Sequence, residues 1–387
     1  MINYGKHFIS NADINSVIKV LKSSSLTQGK EVKSFEKKIC STTGAKYAVA
    51  VSSGTSALFL IGKILKWTKN DIILTTPITF VASANAALFS SAQVDFVDID
   101  PKSYNISLEE LEKKIQDYKK WNKKISAVIA TDFAGNPCDW KELSDLSKKY
   151  NFKLISDHCH ALGSEYNYDK KYILKYADFA SLSFHPVKAI TTGEGGAILT
   201  NSLHFYNEAK LYSNHCKINI NKKNEPWRYD ISQLGYNFRI TDFQSALGSS
   251  QLNGLKNFVT YRRRVAKIYD DLFQNNKYLQ IPKTKNGSKH SYHLYPLLIN
   301  FKKLKKKKIT LFKILKRNGY NLMVHYPPLH LLSIFKKKNY KSNIYINSEK
   351  FYKNELSLPI YFNINEKKIK KIAKLILNFT NNKSPQK

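Results

Sequence analysis

The chain has 387 residues, 42% hydrophobic and 13% aromatic, and a formal net charge of +34. That much apolar material argues against a disordered chain, and the length suits two domains at roughly 150 residues each, or one large and one smaller. No apolar run reaches the ~20 residues of a bilayer span, and "MINYGKHFISNADINSVIKVLK" at the N-terminus has no continuous apolar stretch of the secretion-signal kind.

Elements alternate regularly over the first two-thirds. Ser10 and Asp13 form a capping box for a first helix, with Ile14, Val17, Ile18 and Leu21 expected on its buried face. A second helix turns Val32, Phe35 and Ile39 inward and stops near Gly44. "KYAVAV" reads as a buried strand that turns directly into the helix "SSGTSALFLIGKIL". Strand "DIILTTP", helix "TFVASANAALF", strand "QVDFVDI", helix "SLEELEKKI", strand "ISAVIATDF" and helix "WKELSDLSKKY" follow. "FKLISD", "ADFASLSF" and "GAILTN" complete the strands. This order predicts an α/β fold with a largely parallel sheet covered on both faces, and ligand sites where strands end. The pattern weakens after Gly248, which sets a division into residues 1–248 and 249–387. The second part begins with a long connecting helix, "LNGLKNFVTYRRRVAKIYDDLF", and continues as a smaller α+β unit. The tail "TNNKSPQK" reads as frayed.

The charge is spread rather than focused. Arginine occurs only at Arg228, Arg239, Arg262, Arg263, Arg264 and Arg317, and the remaining basic residues are lysines. Nucleic-acid readers lean on arginine for bidentate contacts, so neither nucleic acid nor membrane is expected as a partner. The run "FKKLKKKKIT" reads as a solvated face. Cys40, Cys138, Cys159 and Cys216 are far apart, which argues against a disulfide framework and for a reducing cytoplasm.

Chemistry concentrates at strand ends. In "SSGTS" small residues leave amides bare at a helix N-terminus beside the Ser53 and Thr55 hydroxyls, a place for a phosphate or an ordinary helix cap. In "LISDHCHALG", Asp157 ends an apolar strand; adjacent residues of "DHCH" point to opposite faces, so a metal centre is not expected. "SLSFHPVKAITTGEGG" places Ser183 and Lys188 in an apolar, glycine-flanked turn, unlike the polar runs that hold most lysines. A lysine for a Schiff base, an acid for a pyridine nitrogen and a phosphate cup together suggest pyridoxal 5′-phosphate. Phe80 in "TTPITFVAS" is placed either to cover such a ring or to fill the core.

These stretches, with "LTQGKEVKSFE", "LGYNFRITDFQSALG", "HLYP" and "VHYPPLH", closely resemble the DegT/DnrJ/StrS type of sugar-nucleotide aminotransferase. The likeness runs over nearly the whole chain. It implies the fold type I of pyridoxal-phosphate enzymes (aspartate aminotransferase-like), with a seven-stranded, mostly parallel sheet in the large domain and a smaller α+β C-terminal domain. Within the family the sequence is most similar to the branch serving pseudaminic acid biosynthesis. That implies transfer of an amino group, from L-glutamate, to C4 of a UDP-linked 4-keto-6-deoxy-N-acetylhexosamine.

The resemblance also implies residue roles. Lys188 carries the imine, Asp157 pairs with the pyridine nitrogen, His160 lies beside the phenolic oxygen and Phe80 stacks on the ring. Gly54, Thr55 and Ser183 hold the phosphate, and Asn237 of "GYNFR" reaches the neighbouring subunit's phosphate in a homodimer with shared sites. Tyr4, Thr27, Gln28, Arg239, His325, Tyr326 and His330 fall near the substrate. Relatives that remove a sugar hydroxyl carry histidine where this chain has Lys188. The competing readings are the same chemistry on a dTDP- or GDP-linked 4-keto sugar, and a regulatory or nucleic-acid-binding protein on the same fold.

Overall fold

The computed structural model describes residues 1–220, 225–336 and 344–381. Its centre is a seven-stranded sheet of β1 (Tyr47–Val51), β2 (Ile72–Thr75), β3 (Gln93–Phe96), β4 (Ile125–Thr131), β5 (Lys153–Asp157), β6 (Phe179–Ser183) and β7 (Gly196–Thr200). The spatial order is β1-β7-β6-β5-β4-β2-β3. Strands β6, β5, β4, β2 and β3 are parallel, whereas β7 runs antiparallel to both its neighbours.

The near-continuous apolar strands reflect a sheet buried on both faces. Successive side chains enter different cores. Ala48 and Ala50, Ile72 and Leu74, and Val128 and Ala130 join one cluster. Val49 and Val51, Ile73, and Ala127 and Ile129 join the other. That alternation is the two-residue period of a strand expressed as packing.

A third core is built from Val265, Tyr269 and Phe273 with Leu297, Leu356 and Ile372. Its small antiparallel sheet has the order β8 (Leu279–Gln280), β9 (Tyr295–Ile299), β10 (Glu355–Leu358), and the helix Glu366–Thr380 packs on it. The long helix spans Asp242–Phe273, starting earlier than expected because Thr241 and Gln244 form a capping box. Its side chains leave the first core at Val259 and enter the third at Val265, so residue 248 lies inside a continuous helix.

Two expectations need correction. The first helix, Asn11–Leu21, has its capping box, but its apolar stripe is not buried in this chain: Ile14, Ile18 and Leu21 are exposed, and Asp13 and Val20 face inward. Asp13 is tolerated there because Ser10 and Gln251 hydrogen-bond its carboxylate. The lysine run near 305 is not wholly solvated either, since Lys306 and Lys308 donate to the carbonyls of Phe379 and Tyr352. The six residues 382–387 of the expected frayed tail lie outside the described residues. No helix among the described residues is long and apolar enough to cross a membrane.

Candidate active site

The C-terminal ends of β1, β5 and β6 open on one side of the sheet, where a cavity of about 580 Å³ lies against segment 323–327. Its walls include Tyr4, Gly54, Thr55, Phe80, Asp157, His160, Ser183, Lys188, His325 and Tyr326. Ten of the residues singled out from sequence therefore converge on one pocket, from positions up to 322 residues apart.

Asp157 is the last residue of β5 and is 4% exposed. Ser83 Oγ donates to its Oδ2 at 2.6 Å, and the Cys159 amide lies 3.3 Å from Oδ1. Lys188 follows β6 in a turn. Its side chain opens to the cavity, yet its ammonium is surrounded by protein. Burial lowers its pKa, partly offset by Cys159 and Asp157. No hydrogen bond from Lys188 Nζ occurs among the described residues, so the amine is available to a ligand.

His160 is held as a neutral tautomer. Ala134 N–H donates to Nδ1 at 3.2 Å, which leaves the proton on Nε2, 3.2 Å from the Tyr326 hydroxyl. Burial, and then the Lys188 charge, push its pKa well down. His293 packs against it with ring centroids 4.3 Å apart. Neighbouring His158 points the other way, to Asp132 at 2.8 Å, so "DHCH" divides between two sites. Among the described residues no cluster of three or more histidine, cysteine or acidic side chains has metal-binding geometry.

The helix Gly54–Ile64 begins at the pocket, with Ser53 as its cap accepting from Ser56 N–H. Ser53 is thus committed to the cap, while Thr55 remains exposed in the pocket and the first helical amides point outward as an anion cradle. Gly54 makes this approach possible: a Cβ there would sit 2.9 Å from Ser183 Cβ and 3.2 Å from Cys159 Sγ. A dianion cup, a free amine, a buried carboxylate and a half-exposed phenyl ring at Phe80 (52%) are the donor set that pyridoxal phosphate requires.

Other expected residues lie elsewhere. Gln28 and Arg239 line a separate cleft of about 490 Å³ with Lys33, Lys210 and Lys217. Arg239 donates to Asn214 Oδ1 at 2.8 Å, Asn237 bridges to Asn214 and Thr27 bridges to Thr241. His330 is not at the pocket at all. It is fully buried, 3.3 Å from Glu349 and packed on Tyr345.

Ser83, Cys159, Glu194 and His293 were not singled out as site residues. Cys159, Glu194 and His293 line the cavity, and Ser83 supports it from behind Asp157. The motif "HLYP" carries His293 and is its signal in the sequence.

The DegT/DnrJ/EryC1/StrS aminotransferase family matches residues 8–377. The UDP-4-amino-4,6-dideoxy-N-acetyl-beta-L-altrosamine transaminase of Campylobacter jejuni is 40% identical over 370 residues, 96% of this chain and 95% of that one. A solved structure of Helicobacter pylori PseC, an aminotransferase involved in the biosynthesis of pseudoaminic acid, superposes with a TM-score of 0.90. It is 33% identical and covers 98% of this chain and 99% of its own. The PLP form of a putative sugar aminotransferase from Streptococcus pneumoniae gives 0.87 at 25% identity, covering 98% and 99%. A mostly parallel sheet, an amine and a carboxylate converging on one pocket and a full-length match together establish that the chain belongs to the DegT/DnrJ/EryC1/StrS family of pyridoxal-phosphate-dependent sugar aminotransferases.

Proposed function

We propose that this protein transfers an amino group from L-glutamate to C4 of a UDP-linked 4-keto-6-deoxy-N-acetylhexosamine, as a step of pseudaminic acid biosynthesis. The observation that carries this reading is 40% identity over 96% of the chain to a transaminase named for a UDP-linked 4-amino-4,6-dideoxy sugar.

Pyridoxal phosphate, when bound, supplies an aldehyde that condenses with amines and a protonated ring that draws electrons from the carbon beside the nitrogen. Lys188 would supply the amine that holds it and, once released, move the proton at the reacting carbon. Asp157, kept as an acceptor by Ser83, would hold the proton on the ring nitrogen. His160 Nε2–H would face the phenolic oxygen, Phe80 would cover the ring, and Gly54, Thr55 and Ser183 would take the phosphate. Tyr4, His325 and Tyr326 would contact the sugar.

The cleft with Gln28 and Arg239, and Asn237 beside it, would serve the partner subunit's pocket in a two-fold dimer. Two exposed apolar surfaces support association. One is the stripe Ile14, Ile18, Leu21 and Leu26, and the other is the hairpin region with Trp227, Tyr229, Ile231 and Leu234.

The test is turnover of UDP-, dTDP- and GDP-linked 4-keto sugars with glutamate, reading the position of the new amine by NMR. The UDP-linked N-acetyl sugar should be aminated at C4. Preferential use of a dTDP or GDP sugar would replace this reading by the other nucleotide.

A further inference from the structure

Segment 323–326 reaches the pocket by pairing Met323 with Ser357 of β10, which brings His325 against Glu355. Two hydrogen bonds then run in series away from the cavity, and a third returns from Glu355 to the His325 backbone. His325 Nδ1 lies 2.8 Å from Ser357 Oγ, and Ser357 Oγ lies 2.6 Å from Glu355 Oε1. His325 N–H donates to Oε2 at 3.0 Å, which fixes Oε2 as an acceptor and leaves Oε1 as the place for a proton. Glu355 and Ser357 are fully buried, His325 lines the cavity, and among the described residues its ring is hydrogen-bonded only through Nδ1.

We propose that His325, Ser357 and Glu355 form a proton relay between the substrate pocket and a buried carboxyl group. A hydroxyl carries one proton, so the chain has two consistent arrangements. With Glu355 ionised, His325 Nδ1–H donates to Ser357 Oγ, Ser357 O–H donates to Oε1, and Nε2 offers a lone pair to the pocket. With Glu355 protonated, Oε1–H donates to Ser357 Oγ, Ser357 O–H donates to Nδ1, and Nε2 carries the proton. Passing between them moves one proton onto Nε2, one from Nδ1 to Ser357 and one from Ser357 to Glu355. One proton enters at the pocket, one carboxylate is neutralised, and the ring ends as neutral imidazole.

The electrostatics suit this role. Burial, then the Lys188 charge, lowers His325 to about 4, so the ring alone is a poor proton store near neutrality. Burial pushes Glu355 up to about 8, against the hydrogen bond from Ser357 and then the pull of Lys308. The groups facing Glu355 are Lys308, Tyr104, Tyr326 and His325. Those facing His325 are Lys188, Tyr4, Tyr326, His160 and His293. Glu355 is thus a positioning residue that sets whether the pocket meets a donor or an acceptor. Use of that proton in catalysis rests on the sugar-binding reading above, but the relay itself does not.

The experiment is NMR of the full-length holoenzyme labelled with ¹⁵N-histidine, without sugar, from about pH 6 to about pH 10. The His325 signals should change from the Nε2–H to the Nδ1–H pattern as pH rises. Glu355→Gln, whose amide donates to Ser357 as the protonated carboxyl does, should fix Nε2–H throughout. Ser357→Ala should abolish the exchange, and it decides the matter if the glutamine variant does not fold. An unchanging tautomer in the wild type, or undiminished exchange in Ser357→Ala, overturns the relay. Neither result depends on which sugar is the substrate.

Discussion

Ser83 Oγ donates a 2.6 Å hydrogen bond to Oδ2 of Asp157. Ser83 belongs to the helix Ala82–Phe89 that follows β2, so one βα unit supports the acid presented by another. Thr79 and Thr131 extend the hydroxyl network, with Thr79 Oγ1 3.1 Å from Ser83 Oγ and 2.9 Å from Thr131 Oγ1. A hydrogen bond to a charged group contributes about 1.5–3 kcal/mol, so Ser83→Ala should lower kcat/KM by about 10- to 100-fold. Unchanged steady-state kinetics in a folded variant would remove Ser83 from the site.

Lys188→Ala should abolish the borohydride-reducible chromophore and cost at least the ~10²–10⁴-fold typical of lost general acid–base catalysis. Asn237→Ala should weaken cofactor retention instead. Mixing the two variants at a cofactor concentration too low to load Asn237→Ala tests the shared site, because a mixed dimer holds one pocket with both residues intact. Recovered activity on mixing is expected; none in verified heterodimers would argue that each chain completes its own pocket.

Gly54→Ala places a methyl group 2.9 Å from Ser183 Cβ, in the floor of the anion cradle. Overpacking of this kind costs about 1–3 kcal/mol. The variant should show a lower Tm and weaker binding of pyridoxal phosphate, measured by equilibrium titration of the apo form. Wild-type cofactor affinity would show that the phosphate binds elsewhere.

Acid should destabilise the fold through buried histidines. Burial lowers the pKa of His160, His293, His290 and His325, to about 3 for His290 and about 4 for His325. Their stabilising contribution is complete above the unfolded value of ~6.5 and is lost as pH falls from there toward the folded values, because the unfolded chain binds more protons. At about pH 5, His290 alone accounts for about 2 kcal/mol. His290→Gln should flatten the fall in Tm between about pH 7 and about pH 5. An equally steep fall would exclude His290 as a contributor.

The strands and the pocket floor were legible because their cause is local. Alternating apolar runs specify a doubly covered sheet, and short motifs at strand ends bring Gly54, Asp157, Ser183 and Lys188 together. What was missed has non-local causes. Ser83 is an ordinary small residue in an alanine-rich helix until β2 and β5 are set two strands apart. Glu355 in "ELSL" becomes a partner of His325 only through the Met323–Ser357 bridge. The stripe Ile14, Ile18 and Leu21 has a clear helical period, but a period does not say whether the covering surface belongs to the same chain.

The 32 residues of Asp242–Phe273 make a shaft of about 48 Å at 1.5 Å per residue. One end is embedded among the side chains of the large sheet, and the other is the spine of the small core. Near its middle, Arg262 grips the carbonyls of Tyr292, His293 and Ile360. Jaw-like closure of one body on the other would have to bend this shaft or break that grip. Room for a bulky sugar is therefore built in beforehand, and any yielding on entry falls to thin margins such as the N-terminal segment bearing Tyr4.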